Sequence, residues 1–338
     1  MPLVESKYVS PWVFKNPHLH TLYPYFFRKV YGVKYVRQRL ELPDGDFLDL
    51  DWSKACGKHL VLLAHGLEGS SKQPYVLGMA KILNEKGIDV VAINFRSCSG
   101  ELNRLPRFYH IGDTEDLRFV AKWIEHNTSY KSLSLIGHSL GANIILKYLG
   151  EEADNRSLLL DKAITFSCPV DLKASCEKIG SAENVFYLRN FLHTMKAKLR
   201  HKINLGFFNE LHIDCERALY VNDIQSWDDL ITAPLHGFVD HEDYYEKASC
   251  RTYLCKIKIP CLLINALDDP LLSSGCFPRE IARSNDFFHL ETTTNGGHAG
   301  FIPANILNQN NEFYWSEWRA LEFLQQKFFY AGAANIDH

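Results

Sequence analysis

No apolar run in the chain approaches the about 18 residues a bilayer-spanning helix needs, so no segment reads as crossing a membrane. The opening stretch MPLVESKYVSPWVF carries Glu5 and two prolines and lacks a continuous apolar core, so it does not read as a signal peptide. There is no excess of charge: 37 Lys and Arg stand against 40 Asp and Glu, a net charge of −3. That balance argues against a nucleic-acid partner and predicts no strong pull of the whole chain toward acidic membranes. Repeats, low-complexity segments and blocks of like charge are also missing. The nine cysteines are odd in number and form no C-x-x-C pair, a pattern of reduced thiols that predicts a cytoplasmic protein. His18 with His20, and His236 with His241, are the nearest approach to paired ligands and match no zinc spacing, so neither metal nor cofactor is expected.

What the chain has is apolar mass, with 46% hydrophobic residues over 338 positions, enough for a single α/β domain carrying an insertion. Its organising stretch is Ser132 to Leu149, SLSLIGHSLGANIILKYL: a short apolar strand, a turn at 137–141, then an amphipathic helix. The turn, Gly137-His138-Ser139-Leu140-Gly141, is a G-x-S-x-G pentapeptide between strand and helix, the nucleophile elbow. Such a turn strains the serine and lifts its hydroxyl out of the sheet, while the helix start offers N–H groups to a developing oxyanion.

Strand-length apolar runs at 59–64, 88–95, 132–138 and 162–167 alternate with helical patterns at 74–86, 114–126 and 140–149. This is the right-handed crossover pattern of a mostly parallel sheet flanked by helices. Ahead of it, 35–42 and 47–52 flank Pro43-Asp44-Gly45-Asp46 as a hairpin. Residues 1–33 are too aromatic to be a disordered tail and are expected to pack on the body. From 171 to 250 no strand pattern appears, and the segment reads as a helical cap inserted into the sheet. Strands resume at 259–266 and 287–290, and 313–328 closes the chain as a helix.

A serine hydroxyl needs a base within hydrogen-bond reach, itself oriented by a carboxylate. Both follow in the chain order Ser, acid, His: Asp268-Asp269 stand past the strand at 259–266, and His298 lies in the glycine-bracketed loop NGGHAGF after the strand at 287–290. Counting from Ala266 favours Asp269 as the acid. Asp268 would then be a solvated or turn-capping carboxylate, and Asp171 is a third candidate. The backbone N–H of Leu140, after the nucleophile, and of Leu67, in the HGLEGSS loop after an early strand, are the expected oxyanion donors. His65 is read as a hydrogen-bonded turn residue, His138 as pointing away from the serine, and Cys98 as an inert loop thiol. The helix near 185–199 carries Arg189, Lys196, Lys198 and Arg200 beside an apolar stripe; packing on the core is preferred for it over contact with a lipid surface.

With these residues in view the chain resembles the YheT-like branch of the α/β-hydrolases, a group of serine esterases. The resemblance runs nearly the whole length, through NPHLHTL at 16–22, LELPDGDFLDLDW at 40–52, HGLEGSS at 65–71, NFRSCSGELNR at 94–104, YHIGDTEDL at 109–117, the elbow, WDDLITAPLHGF at 227–238, DDPLL at 268–272 and NGGHAGF at 295–301. It implies an α/β-hydrolase fold, a triad of Ser139, Asp269 and His298, and hydrolysis of carboxylic esters with short or medium acyl chains. Two departures stand out: His20 where Gln is usual and Ser97 where Gly is usual. If that glycine holds a positive φ, the loop at 96–100 must be rearranged or strained in this chain. The expected function is therefore a serine esterase acting on small-molecule esters, lipid-like ones among them. An acyltransferase on the same acyl-enzyme, and a non-catalytic binding protein on this fold, are the alternatives.

Overall fold

The computed structural model describes residues 2–304, 306 and 313–328. Nine strands form one sheet: β1 (Leu3–Glu5), β2 (Val36–Glu41), β3 (Phe47–Ser53), β4 (His59–Ala64), β5 (Asp89–Asn94), β6 (Ser132–His138), β7 (Leu160–Phe166), β8 (Cys261–Ala266) and β9 (Phe288–Thr293). Their order is β1-β9-β8-β7-β6-β4-β5-β3-β2, and every neighbouring pair is parallel except those made by β3. The helices are α1 (Pro17–Phe27), α2 (Pro74–Glu85), α3 (Glu115–Asn127), α4 (Leu140–Glu151), α5 (Leu172–Ile179), α6 (Val185–Asn204), α7 (Cys215–Ala218), α8 (Ile224–Trp227), α9 (Ala233–His236), α10 (His241–Ala248), α11 (Arg279–Ser284) and α12 (Trp315–Gln325).

The central strands β4 to β8 are buried along nearly their whole length, as continuous apolar runs covered on both faces must be. One face packs on α3 and α4 through Val120, Ile124, Ile144 and Ile145. The other packs on α2 and α12 through Met79, Ile82, Leu83 and Leu324. The chain runs from β4 through α2 to β5, then back across β4 through α3 to β6. Strand order therefore reverses between β4 and β6, and a crevice opens beyond their carboxyl ends, where ligands bind in open α/β sheets.

Helices α5 to α10 lie between β7 and β8 and have their own apolar cluster, with Leu188, Leu192 and Leu199 of α6 against Trp227 and Ile231. Asp228–Thr232 winds as a π-turn between α8 and α9. Strand β1, helix α1 and the short helix α11 carry no clear signal in the sequence. Strand β1 is only three residues long and gives no periodic signal, yet it adds to the sheet edge as a parallel partner of β9. Helix α1 is started by Asn16, whose Oδ1 accepts the N–H groups of His18 and Leu19 at 2.9 and 3.0 Å, a cap hidden among prolines and aromatics. Residues 2–28 pack on the body: Tyr8 OH donates to Ile302 O at 2.7 Å, and the Arg28 guanidinium meets Glu317 at 2.6 Å.

Ser97 does take the positive φ, at 62°, so the loop at 96–100 keeps the glycine-like conformation under strain. Its hydroxyl is tied to the Asn103 side chain, and Asn103 N–H donates to it at 3.2 Å, which offsets part of that cost. His20 is fully buried: its Nε2 accepts the Ile302 N–H at 3.1 Å, and burial pushes its pKa down to about 4.

Backbones also approach closely where α4 passes the end of β4. A methyl on Gly141 would stand 2.6 Å from both Ala64 O and His65 O. Gly141→Ala is expected to lower the unfolding free energy by about 2 kcal/mol or more, through forced separation of helix and strand. Urea denaturation of the variant beside wild type checks this, and an unchanged midpoint contradicts it.

Candidate active site

Ser139 stands between β6 and α4 with φ 53° and ψ −118°, a conformation L-residues rarely adopt. Its neighbours hold that strain. Ser139 N–H donates to Phe166 O at 2.9 Å, and Ser139 O accepts from Ala142 N–H at 3.0 Å. The glycines permit the fold around it: a Cβ on Gly137 would meet Gly141 O at 2.7 Å, and one on Gly66 would meet Ser139 Cβ at 3.2 Å.

His298 lies in the loop after β9, and its Nδ1 is 2.9 Å from Asp269 Oδ2 and 3.1 Å from Oδ1. Asp269 follows β8, is 1% exposed, and accepts the Leu271 N–H at 2.9 Å. A carboxylate at Nδ1 holds the proton on that nitrogen and leaves Nε2 free to accept another. Asp268 is half-buried and takes the turn-capping rather than the solvated role. Its two oxygens take the Gly297 N–H at 3.0 Å and the Asn295 amide at 3.1 Å, and burial raises its pKa. The adjacent aspartates thus do different work: Asp269 meets the imidazole, and Asp268 ties down the loop that carries it. Asp171 is brought to neither. It caps α5 by accepting the Ala174 N–H at 3.2 Å and stands 3.5 Å from Arg251.

Further holds on the His298 loop come from segments the sequence reading did not connect to it. His298 N–H donates to Thr21 Oγ1 of α1, and Ala299 N–H to Ser167 Oγ after β7, both at 2.9 Å. Nothing in the local pattern of either residue signals a contact so far along the chain.

Ser139 and His298 border the same two cavities, of about 130 and 200 Å³. No hydrogen bond joins the two side chains among the described residues, a contact that sites without substrate commonly make only when filled. The smaller cavity runs under the inserted helices, against Phe108, Leu172, Met195, Trp227 and Ile231. Asp228 also faces it, with burial pushing its pKa up to about 7 and Tyr245 OH donating to it at 2.8 Å. The larger cavity lies toward α1, α2 and the start of α6, against Leu22, Tyr25, Tyr75, Phe186 and Tyr187. Leu67 and Leu140 adjoin Ser139 at the cavity wall, and their N–H groups have no partner among the described residues.

Three other groups have settled partners. His65 Nδ1 bonds Gly66 O at 2.7 Å while Nε2 accepts the Phe95 N–H at 3.2 Å; this neutral tautomer agrees with a pKa lowered to about 4 by burial. His138 stacks on Phe166 with ring centroids 5.0 Å apart and is held neutral by burial, with His298 nearby adding to the effect. Burial pushes the Cys98 thiol up to about 11, which disfavours a reactive thiolate.

Next to Leu67, Glu68 takes a positive φ of 56°. Its N–H donates to Tyr109 OH at 2.7 Å, and its Oε1 accepts both Tyr109 OH at 3.0 Å and Lys198 Nζ of α6 at 2.9 Å. An ion pair thereby links the inserted helices to the loop after β4. Among the basic residues of α6, Lys198 turns inward, beside a carboxylate that is 7% exposed, in line with the expected packing of this helix on the body.

Comparison with known proteins fits this arrangement. The family model described as the alpha/beta hydrolase fold matches residues 59–302. The YheT protein of Escherichia coli (strain K12), provisionally named an esterase, is 35% identical over 92% of this chain and 91% of its own. Phospholipase ABHD3 of Mus musculus is 30% identical over 89% of this chain and 74% of its own. Among solved structures, the Pyrococcus furiosus esterase Pf2001 superposes with a TM-score of 0.54 at 18% identity, covering 88% of this chain and 97% of its own. Fold and comparisons together define a hydrolase of the esterase and lipase kind. The chain belongs to the α/β-hydrolase family, in its YheT-like branch.

Removing the Lys198 cation leaves the Glu68 carboxylate buried and unpaired, so Lys198→Met is expected to cost about 3 kcal/mol of stability, most of it recovered when Glu68→Gln is added. Chemical denaturation of both single variants and the double variant tests the coupling; simple additivity would contradict it.

Proposed function

We propose that this chain is a serine esterase that cleaves carboxylic esters through an acyl-enzyme, with Ser139 as nucleophile, His298 as base and Asp269 as the acid that orients it. The observation that carries the reading is the Asp269–His298 contact at 2.9 Å, set beside a strained Ser139 where two cavities meet. His298 Nε2 takes the serine proton as Oγ attacks the ester carbonyl. The N–H groups of Leu67 and Leu140 receive the oxyanion, and Asp269 stabilises the imidazolium. His298 then protonates the departing alcohol, and a water repeats the sequence to free the acid.

In this reading residues 171–250 act as a cap, and the acyl chain lies in the apolar cavity beneath it. The alcohol portion occupies the cavity beside α1. Short- to medium-chain, lipid-like acyl esters suit that division, since the first cavity is lined by Trp227, Ile231 and Tyr245 and measures only about 130 Å³. An apolar second cavity beside Ser139 also suits an acceptor alcohol in place of water, which would make the enzyme an acyltransferase; product analysis with added alcohol separates the two. A cytoplasmic setting is proposed from the nine free thiols, of which Cys168 and Cys250 stand 3.9 Å apart without a bridge. No helix among the described residues is long and apolar enough to cross a membrane.

Ser139→Ala is expected to abolish turnover of p-nitrophenyl acyl esters and labelling by a fluorophosphonate probe; retained labelling would sink the assignment. Asp269→Asn is expected to lower kcat by about 10⁴ through the wrong imidazole tautomer. Asp268→Asn, which keeps an oxygen for the Gly297 N–H, should lose far less. Steady-state kinetics of the two variants decide which aspartate serves the histidine.

A further inference from the structure

The chain as a whole is slightly acidic, but its cations are not spread evenly. Residues 6–40 hold seven Lys or Arg and no Asp or Glu, and α6 holds five Lys or Arg and no acid. These two segments meet at the mouth of the larger cavity. Tyr25 of α1 and Phe186 of α6 both line it, and Phe26 and Phe186 touch across the gap with ring centroids 6.3 Å apart.

The same residues form an exposed aromatic cluster. Tyr25, Phe26, Phe27 and Phe186 are 52%, 55%, 68% and 49% exposed. Tyr25 packs edge-on to Phe26 at 5.0 Å, and Phe26 to Phe27 at 6.4 Å, so the patch is continuous rather than scattered. Leu19, Leu22 and Phe26 recur at helical spacing along one side of α1, and Lys29 follows two residues past its end. Exposed apolar patches rimmed by polar groups mark contact surfaces rather than ordinary protein exterior.

Charge tells which kind of surface. Arg28, Arg37 and Arg39 are engaged by Glu317, Asp51 and Asp49. Lys15 and Lys29, at the two ends of α1, and Arg189, one turn beyond Phe186, are exposed and make no ion pair among the described residues. Glu183, two residues before Val185, is the nearest acid in sequence. Aromatic rings beside unpaired cations suit the boundary between acyl chains and anionic headgroups, where the rings enter and the cations stay in the polar layer.

We propose that α1 and the first turn of α6 seat this protein on an anionic lipid surface, with the larger cavity opening from that surface toward Ser139. A lipid ester then reaches the serine along a wall of aromatic side chains without crossing bulk water. The contact depends on local charge, so it weakens as salt rises.

The test is co-sedimentation with phosphatidylcholine vesicles made with and without phosphatidylglycerol. Wild type is expected to bind the phosphatidylglycerol vesicles at low salt, and to bind pure phosphatidylcholine much less. Phe26→Ser with Phe27→Ser, and Lys29→Glu with Arg189→Glu, should each reduce the bound fraction about tenfold. None of the four lines the cavities, so hydrolysis of soluble p-nitrophenyl acetate should stay at the wild-type rate, which also reports that the variants fold. Wild type remaining in the supernatant, or variants that bind as well as it does, would overturn the proposal. So would sedimentation equilibrium showing that the Phe26 and Phe27 changes dissolve a dimer, since the patch would then belong to a second copy.

Discussion

The crossing of α4 over β4 is the constraint from which the rest of the site follows. At Gly141 the helix backbone comes so near Ala64 O and His65 O that no side chain fits. This closeness, with the same crowding at Gly137, bends the chain sharply enough to hold Ser139 at φ 53°. It also sets the loop after β4 beside the serine, which is how the Leu67 N–H comes to face the same cavity as the Leu140 N–H. A wider crossing would relax the serine and separate the donors together, so strain and preorganisation have one origin.

Around that fixed point the fold divides its labour. The sheet places the loops that carry Ser139, Asp269 and His298 at its carboxyl edge, after β6, β8 and β9. Distant segments then steady two of the loops around the site: Thr21 of α1 and Ser167 after β7 hold the His298 loop, and Lys198 of α6 holds Glu68 in the loop after β4. Each hold is a hydrogen bond or ion pair in a partly buried setting, where it is stronger than in water.

Much of this was legible in the sequence because it was local. Buried parallel strands announce themselves as continuous apolar runs, and the elbow as glycine spacing between a strand and a helix. The order of Asp269 and His298 follows from strand ends that can be counted. The rest was not legible because it joins distant parts of the chain. The two aspartates at 268 and 269 look alike until one is seen to bind Gly297 N–H and the other the imidazole. Strand β1 is too short to show a period, and the α1 cap is a lone Asn before a proline. Lys198 sits among other basic residues of α6 and is distinguished only by the carboxylate opposite it.

Strand β1 has a role beyond adding one strand. Without it, β9 would be the border of the sheet, offering six residues of unpaired backbone to any passing strand. Three residues ending in Glu5 make a poor template for such pairing, being short and closed by a charge. The strand that leads into the His298 loop is thus kept internal, and the border handed to a piece too small to recruit a neighbour. What looks like a loose segment is a guard against edge-to-edge aggregation beside the strand that leads to His298.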